Sequence, residues 1–162
     1  MSNCNNHFYK RLYSIFENVT PLFADCGVIC GKACCSGNEE TGMILFPGET
    51  TSLSVIESGG RRYAVCGGEC ERNERPLSCR IFPFFPVITE NGEVRVTIDP
   101  RGRSICPLVN NAPDIAFNTA FIRRVYVAGR ALSRNPECRA LLEEITEEIN
   151  DIFVLTDKLE GE

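Results

Sequence analysis

Cys-Gly-Val-Ile-Cys-Gly-Lys-Ala-Cys-Cys, residues 26–35, places four thiols within ten positions. Glycines follow the first two cysteines, at Gly27 and Gly31. Glycine weakens a helix, but it adopts the positive φ angles that let backbone amides turn towards a sulfur atom. The stretch therefore predicts tight loops or short knuckles rather than one continuous helix.

Four more cysteines follow, each near a glycine or a proline, residues that bend or stiffen a chain. We interpret the two sets together as one metal-binding core of eight ligands. The ligands are Cys26, Cys30, Cys34, Cys35, Cys66, Cys70, Cys79 and Cys106. Neutral thiols bind metals poorly, so such a core needs a cationic metal or nearby positive charge. Arg75 and Arg80 lie close to Cys79 in sequence and are predicted to support the core through contacts behind the ligands.

The length and composition of the chain limit its class. It has 162 residues, 43% of them hydrophobic, and a formal net charge of -5. This is enough for one domain with a modest core, so we expect a single domain over residues 1–162. The negative charge argues against nucleic acid as a partner, because no broad basic field would attract phosphates. The most apolar run, residues 81–88, is interrupted by Pro83 and Pro86, which argues against a membrane span.

Ten cysteines are unusual in a chain of this length and have two explanations. They could form the disulfide framework of a secreted protein, or they could remain reduced and hold metal. The polar N-terminal residues 1–10 lack the basic and apolar regions of a secretory signal. This favours reduced thiols in a cytoplasmic protein, with Cys4 free in a polar terminus.

Periodicity predicts an N-terminal helix followed by short strands. The helical stripe consists of Phe8, Leu12, Ile15, Phe16 and Val19, and Pro21 should end the helix. Strands are predicted at 43–46, 54–57, 61–65, 85–89 and 94–98. Glycine-rich turns at Gly59-Gly60 and Asn91-Gly92 would join the last four into two hairpins. Cys66 would then lie at the end of a strand.

Two amphipathic helices are predicted in the C-terminal part of the chain. Pro113 suits the first turn of one helix, and Asn135-Pro136 suits the cap and first position of the next. Cys138 falls on the apolar stripe of the second helix and is expected to pack in the core. The fold class is therefore predicted as α+β: a small cysteine-rich metal-binding core at about 22–108 with short β-hairpins, an N-terminal helix, and an antiparallel helical hairpin at about 112–156.

The cysteine pattern resembles the YkgJ-type cysteine-cluster family, whose CxxCxxCC domain is described as zinc- or iron-chelating. The resemblance covers about half the chain and rests on the eight cysteines, the run Arg75-Pro-Leu-Ser-Cys-Arg-Ile-Phe-Pro83, and Cys106-Pro107. The first loops here are one residue longer than in the family pattern, and Leu108 stands where a glycine is common. The resemblance implies a metal-binding domain, which in some members is associated with an Fe-S oxidoreductase. A shorter similarity to the cysteine cluster of flagellin lysine methylase implies an enzyme related to protein methylation.

The expected cofactor is an iron-sulfur cluster of the 4Fe-4S type, or zinc. Both metals accept four thiolates, so the ligand type does not decide between them. The first functional hypothesis is a cluster that transfers electrons or senses redox state and docks a protein partner. The second is a structural zinc-binding adaptor without catalysis. Eight cysteines fill two four-ligand sites, which leaves no open coordination position and disfavours an enzyme.

Overall fold

The computed structural model describes residues 2–35, 42–68 and 70–160 of the chain. The chain divides into two compact units, Met1–Phe82 and Pro83–Glu162, which we describe separately. The boundary falls inside the cysteine core that the sequence predicted as part of a single domain. Seven of the eight candidate ligands belong to the first unit, and Cys106 belongs to the second.

The first unit begins with helix α1, Ser2–Ser14. Tyr9 and Leu12 on this helix are buried, as is Phe16 in the turn that follows. The helix ends earlier than the stripe predicted. Ser14 Oγ donates to the carbonyl oxygen of Arg11 at 2.8 Å, and the amide of Phe16 bonds Tyr13 in a tighter turn. A serine that bonds nearby backbone in this way competes with the helical ladder, so Val19 lies beyond the helix.

The cysteine-rich stretch forms the tight turns that its glycines predicted. Helix α2, Gly27–Cys30, is a single turn, and the chain leaves it at Gly31 with a left-handed φ of 59°. Lys32 has the same positive φ, an uncommon conformation for a residue with a side chain. A 3₁₀ turn over Ala33–Cys35 follows. The stretch is therefore folded back on itself and contains no long helix.

A three-stranded antiparallel sheet, in the order β1-β3-β2, follows in the first unit. Its strands are β1 at Met43–Ile44, β2 at Ser54–Ser58 and β3 at Arg61–Val65. Gly59 and Gly60 both have positive φ, 57° and 76°, which a two-residue hairpin turn requires. The predicted hairpin is confirmed, and Cys66 follows β3 directly. The pairing of β1 stops two residues short of the predicted strand end at Phe46.

The first unit ends with a 3₁₀ turn, Arg72–Glu74, and helix α3, Leu77–Ile81. Pro76 precedes the helix in extended conformation and serves as its N-cap residue. Leu77 and Ile81 are fully buried, and α3 packs on α1 and β1. This packing holds Cys79, in the middle of α3, in a fixed position.

The second unit contains the other predicted hairpin, β4 at Phe84–Ile88 and β5 at Val94–Ile98. Thr89 and Glu93 close its loop through a backbone bond of 2.8 Å, and Gly92 has a φ of 77°. Short turns follow in chain order. They are a 3₁₀ turn at Pro100–Gly102, helix α4 at Pro107–Asn110 and a 3₁₀ turn at Ala112–Asp114.

Helices α5, Thr119–Leu132, and α6, Pro136–Glu160, complete the second unit. Helix α5 begins later than predicted: Pro113 lies in the 3₁₀ turn instead, and Asn118 caps the helix by accepting from the amide of Ala120. The predicted cap of α6 is confirmed, because Asn135 Oδ1 accepts from two amides of its first turn.

Both C-terminal helices pack on the β4–β5 hairpin. Gly129 of α5 lies directly against Pro86 and Val94, and Thr146 of α6 accepts from the amide of Ile88 at 2.9 Å. The apolar faces of both helices are therefore covered by a sheet within their own unit. The α+β class is confirmed. None of the helices in the described part of the chain combines the length and apolar character that a membrane span requires.

Candidate thiol site

Four thiols interact within residues 26–35. Burial and the neighbouring Cys35 thiol, followed by Cys30 and Cys26, raise the pKa of Cys34 to about 12. The Sγ atom of Cys30 also lies 3.7 Å from the carbonyl oxygen of Cys26, as a weak donor. The left-handed turn at Gly31 produces this arrangement, because it brings Cys34 and Cys35 back towards the single turn of α2.

A second pair of thiols follows strand β3. Cys70 is hydrogen-bonded to Cys66 and to Arg75. Burial raises the pKa of Cys70, the Arg75 side chain opposes that rise, and Cys66 adds to it. The short path from the end of β3 to the turn before α3 therefore places Cys70 next to Cys66 and beside the Arg75 guanidinium group.

Cys79 connects the two groups of thiols. It lies within α3 and is partly exposed, and desolvation of its thiol is the largest cause of its raised pKa. The next causes are the electrostatic effects of Cys70, Cys35 and Cys34, while Arg75 acts in the opposite direction. Cys70 from one group, and Cys34 and Cys35 from the other, thus interact electrostatically with Cys79, and the seven candidate ligands of the first unit form one cluster.

Arg75 is a cation beside this cluster. Burial acts to lower its pKa, but the hydrogen bond to Cys70 and the charges of Cys70, Cys35 and Cys79 outweigh burial and raise it. Its Nε atom is buried and has no hydrogen-bond partner among the described residues. Arg75 therefore lies where negative charge on the sulfurs would be compensated.

A cavity of about 400 Å³ opens beside the cluster. Cys35 and Cys70 reach its wall, together with Arg75 and Lys32 as cations. Gly68 and the exposed acids Glu71 and Glu74 complete the lining. Two thiols from different parts of the first unit thus face a common space that also contains positive charge.

The sulfur atoms are not arranged as a finished coordination sphere. Within residues 2–35, 42–68 and 70–160, no group of three or more histidine, cysteine or acidic side chains has a geometry that could hold a metal ion. The predicted metal-binding core therefore remains a prediction. The donor set nonetheless fits a thiophilic metal, because it consists of clustered soft sulfur ligands beside a partly buried arginine.

The other cysteines differ in position. Cys106 belongs to the second unit, where it is 6% exposed and precedes α4, so its membership of the core also remains a prediction. Cys138 is fully buried in α6, which confirms its predicted packing role. The side chain of Cys4 lies outside the described residues.

Arg80 contacts aromatic and backbone groups. Its guanidinium carbon lies 4.4 Å from the centre of the Tyr13 ring. Its Nε atom donates to the carbonyl oxygen of Arg75 at 2.7 Å, and Nη2 donates to that of Asn73 at 2.8 Å. Arg80 therefore supports the backbone of the segment that carries Arg75.

Glu49 is a central residue of the first unit that sequence reasoning missed. It is completely buried and accepts from the hydroxyl of Tyr13 at 2.5 Å, from the amide of Leu77 at 2.7 Å and from the amide of Phe46 at 3.0 Å. Arg62 also donates to its backbone carbonyl. Locally, the sequence shows only an acidic residue directly after the Pro47-Gly48 turn. Acidic residues at such positions are usually exposed, so its burial was not predicted. Glu49 connects α1, the turn after β1, and the start of α3.

Comparison with family models, curated proteins and solved structures finds no match to this chain. The similarity of its cysteine pattern to the YkgJ-type family therefore remains a prediction, and the candidate function must be argued from the thiol cluster itself.

Proposed function

We propose that the protein is a metal-binding cysteine-cluster protein whose first unit holds an iron-sulfur cluster for electron transfer or redox sensing. The observation that carries the proposal is that Cys35, Cys70 and Cys79, from three separate segments, lie close enough to interact with Arg75, and that Cys35 and Cys70 line one cavity with it. Cysteine thiolates are the usual ligands of iron-sulfur clusters, so this set of thiols could supply them. The predicted eighth ligand, Cys106, belongs to the second unit and remains a prediction from the sequence.

The state of the thiols supports metal rather than disulfides. None of the nine cysteines with described side chains forms a disulfide bond. Burial and mutual repulsion raise the pKa of Cys34 and that of Cys79, so these groups are neutral without a counter-charge. A metal cation supplies that counter-charge, and Arg75 offsets the negative charge that remains on the ligands. Free thiols also fit a reducing compartment such as the cytoplasm.

Exposed apolar residues on the thiol stretch support a protein partner. Val28 and Ile29 belong to α2, between Cys26 and Cys30, and are 83% and 61% exposed. Phe23, shortly before them, is 83% exposed. A partner that covers these side chains would lie close to the sulfurs, and electron transfer requires such a short distance.

The test is anaerobic purification after expression in iron-supplemented medium. We expect a brown protein with visible absorption, and iron and sulfide that copurify in stoichiometric amounts. Cys79→Ser should lower the iron content, whereas Cys138→Ala, a matched loss of a buried thiol in α6, should retain it. A colourless protein free of iron and zinc would contradict metal binding altogether.

A structural zinc site is the second candidate. The single-turn α2 followed by positive φ at Gly31 and Lys32 favours it, because knuckles of this kind turn backbone amides towards thiolates. Zinc would give a colourless protein with stoichiometric zinc under the same purification. Substitution by cobalt would then produce the absorption of tetrahedral thiolate ligation, and the iron proposal would be wrong.

A further inference from the structure

A second cavity in the first unit carries an excess of positive charge. It has a volume of about 430 Å³ and is lined by Lys10, Tyr13, Glu17, Arg72, Asn73 and Arg80. Three of these side chains are cations and one is an acid, in a chain whose formal net charge is -5. Among the side chains that the structure describes, no cysteine lines this cavity, and it shares no lining residue with the cavity beside the thiols.

The two arginines of the cavity are held in place by the backbone. Arg80 is fixed by the carbonyl oxygens of Asn73 and Arg75 and by the ring of Tyr13. Arg72 donates through Nη2 to the carbonyl oxygens of Phe16 and Val19, at 3.3 and 3.1 Å. These bonds use Nε and Nη2 of Arg80 and Nη2 of Arg72, so within the described part of the chain further N–H donors of both groups remain for a ligand.

Tyr13 supports this site but does not bind the ligand. Its hydroxyl donates to the buried Glu49, and its ring lies beneath Arg80. Because Tyr13 is held in this way, it orients the Arg80 guanidinium before any ligand arrives. A site whose donors are already ordered loses less entropy on binding.

The charges of the cavity also repel one another. Besides burial, the positive charge of Arg72 lowers the pKa of Arg80. Glu17 is the one acidic residue among the six that line the cavity. An anion placed between the guanidinium groups would relieve that repulsion and accept charge-assisted hydrogen bonds. We propose that this cavity binds a small doubly charged anion, a phosphate monoester or a dicarboxylate, through Lys10, Arg72 and Arg80.

The experiment is calorimetric titration of the full chain with inorganic phosphate and with malonate, at constant ionic strength. Sodium chloride and acetate serve as singly charged controls. We expect saturable binding of at least one dianion and no saturable binding of the controls. Phosphate alone would identify the ligand as a phosphate ester, and malonate alone would identify it as a dicarboxylate; either result supports the proposal.

Two substitutions at exposed positions test whether the dianion binds in this cavity, and they should change its affinity in opposite directions. Lys10→Gln should weaken dianion binding about threefold, and Glu17→Gln should strengthen it about threefold, as expected for one partly screened charge. Lys158→Gln and Glu147→Gln are matched charge changes at exposed positions of α6 and should leave the affinity unchanged. The gain with Glu17→Gln cannot result from misfolding.

Two outcomes would overturn the proposal. One is that neither dianion binds more tightly than chloride. The other is that the Lys10 and Glu17 variants bind the dianion with the same affinity as the α6 controls.

Discussion

At the scale of single residues, the first unit depends on a buried carboxylate. Glu49 accepts hydrogen bonds from Tyr13, Leu77 and Phe46, which lie on three different segments. A buried polar group is favourable when its bonds are complete and costly when one partner is removed. Glu49 therefore stabilises the fold because it joins segments that are distant in sequence.

Glu49→Ala should destabilise the first unit by about 3 kcal/mol, because it leaves the buried donors of its three partners without an acceptor. Glu49→Gln retains a carbonyl oxygen and should have a smaller effect. Urea unfolding, followed by a probe in the first unit, measures both. Equal stability of Glu49→Ala and the wild type would mean that the network does not hold these segments together.

The stability of the first unit should also depend on pH through Glu49. Burial raises the pKa of Glu49 above its ordinary value of 4.5, and the hydrogen bonds to Tyr13, Leu77 and Phe46 oppose that rise. The folded state therefore binds the proton of Glu49 more tightly than the unfolded state does. The stabilisation of the folded state by this proton is complete below pH 4.5, and it decreases as pH rises from there towards the folded pKa. Unfolding free energies across that range should fall more steeply for the wild type than for Glu49→Gln. If the unfolding free energies of the wild type and of Glu49→Gln changed in parallel with pH, burial would not raise the pKa of Glu49.

Arg75 and Arg80 should both affect metal retention, but to different extents. Arg75 is hydrogen-bonded to Cys70 and interacts electrostatically with Cys35 and Cys79. Arg75→Ala should therefore weaken metal binding about tenfold. Arg80 acts through the backbone of Asn73 and Arg75, and its removal should have a smaller effect. The rate of metal loss to a chelator measures both, with exposed Arg95→Ala as the control. Faster loss from the Arg80 variant than from the Arg75 variant would contradict this order.

At the scale of secondary-structure elements, the second unit depends on the close approach of α5 to its hairpin. A Cβ atom at Gly129 would lie 2.5 Å from Cβ of Pro86 and 3.0 Å from Val94. Both neighbours belong to paired strands and have little freedom to move. Glycine is required here because of this contact.

Gly129→Ala should therefore destabilise the second unit by about 2 kcal/mol, although alanine favours a helix. Ala120→Ser adds one heavy atom at an exposed position of the same helix and should change stability by about 0.5 kcal/mol or less. Thermal unfolding of the two variants gives the comparison. If Gly129→Ala proved as stable as Ala120→Ser, α5 would not lie as close to the strands as the structure has it.

At the scale of the whole molecule, the two units should respond differently to the loss of metal. Residues 26–106 have short strands and few large apolar residues in the sequence, which by itself predicts that this whole part depends on metal. The β4–β5 hairpin, however, is packed by α5 and α6 within the second unit. The dependence on metal should therefore end near Phe82.

We expect a strong chelator, with reductant present, to lower hydrogen-exchange protection in Cys26–Cys35 and Leu77–Ile81. Structural metal sites contribute roughly 10 to 16 kcal/mol in small domains, which is comparable with the whole stability of an ordinary domain. Strands β4 and β5 and helix α6 should keep their protection. A uniform loss of protection in both units would show that they do not fold independently.

Local sequence determined the turns and caps of this protein. Gly31, the Gly59-Gly60 turn and the Asn135 cap were all predictable, since positive φ and capping bonds involve neighbours within a few residues. The clustering of cysteines could also be predicted for residues 26–35, where the thiols are close in sequence.

Tertiary structure alone decided the rest, because the partners are far apart along the chain. Glu49 lies 36 residues from Tyr13 and 28 from Leu77, and no periodic pattern connects them. Packing of α1 against α3 placed Arg80 over Tyr13, whereas sequence had related it to the thiols. The boundary at Phe82 likewise depends on which helices cover the β4–β5 hairpin, and this is a property of the packed units rather than of any short segment.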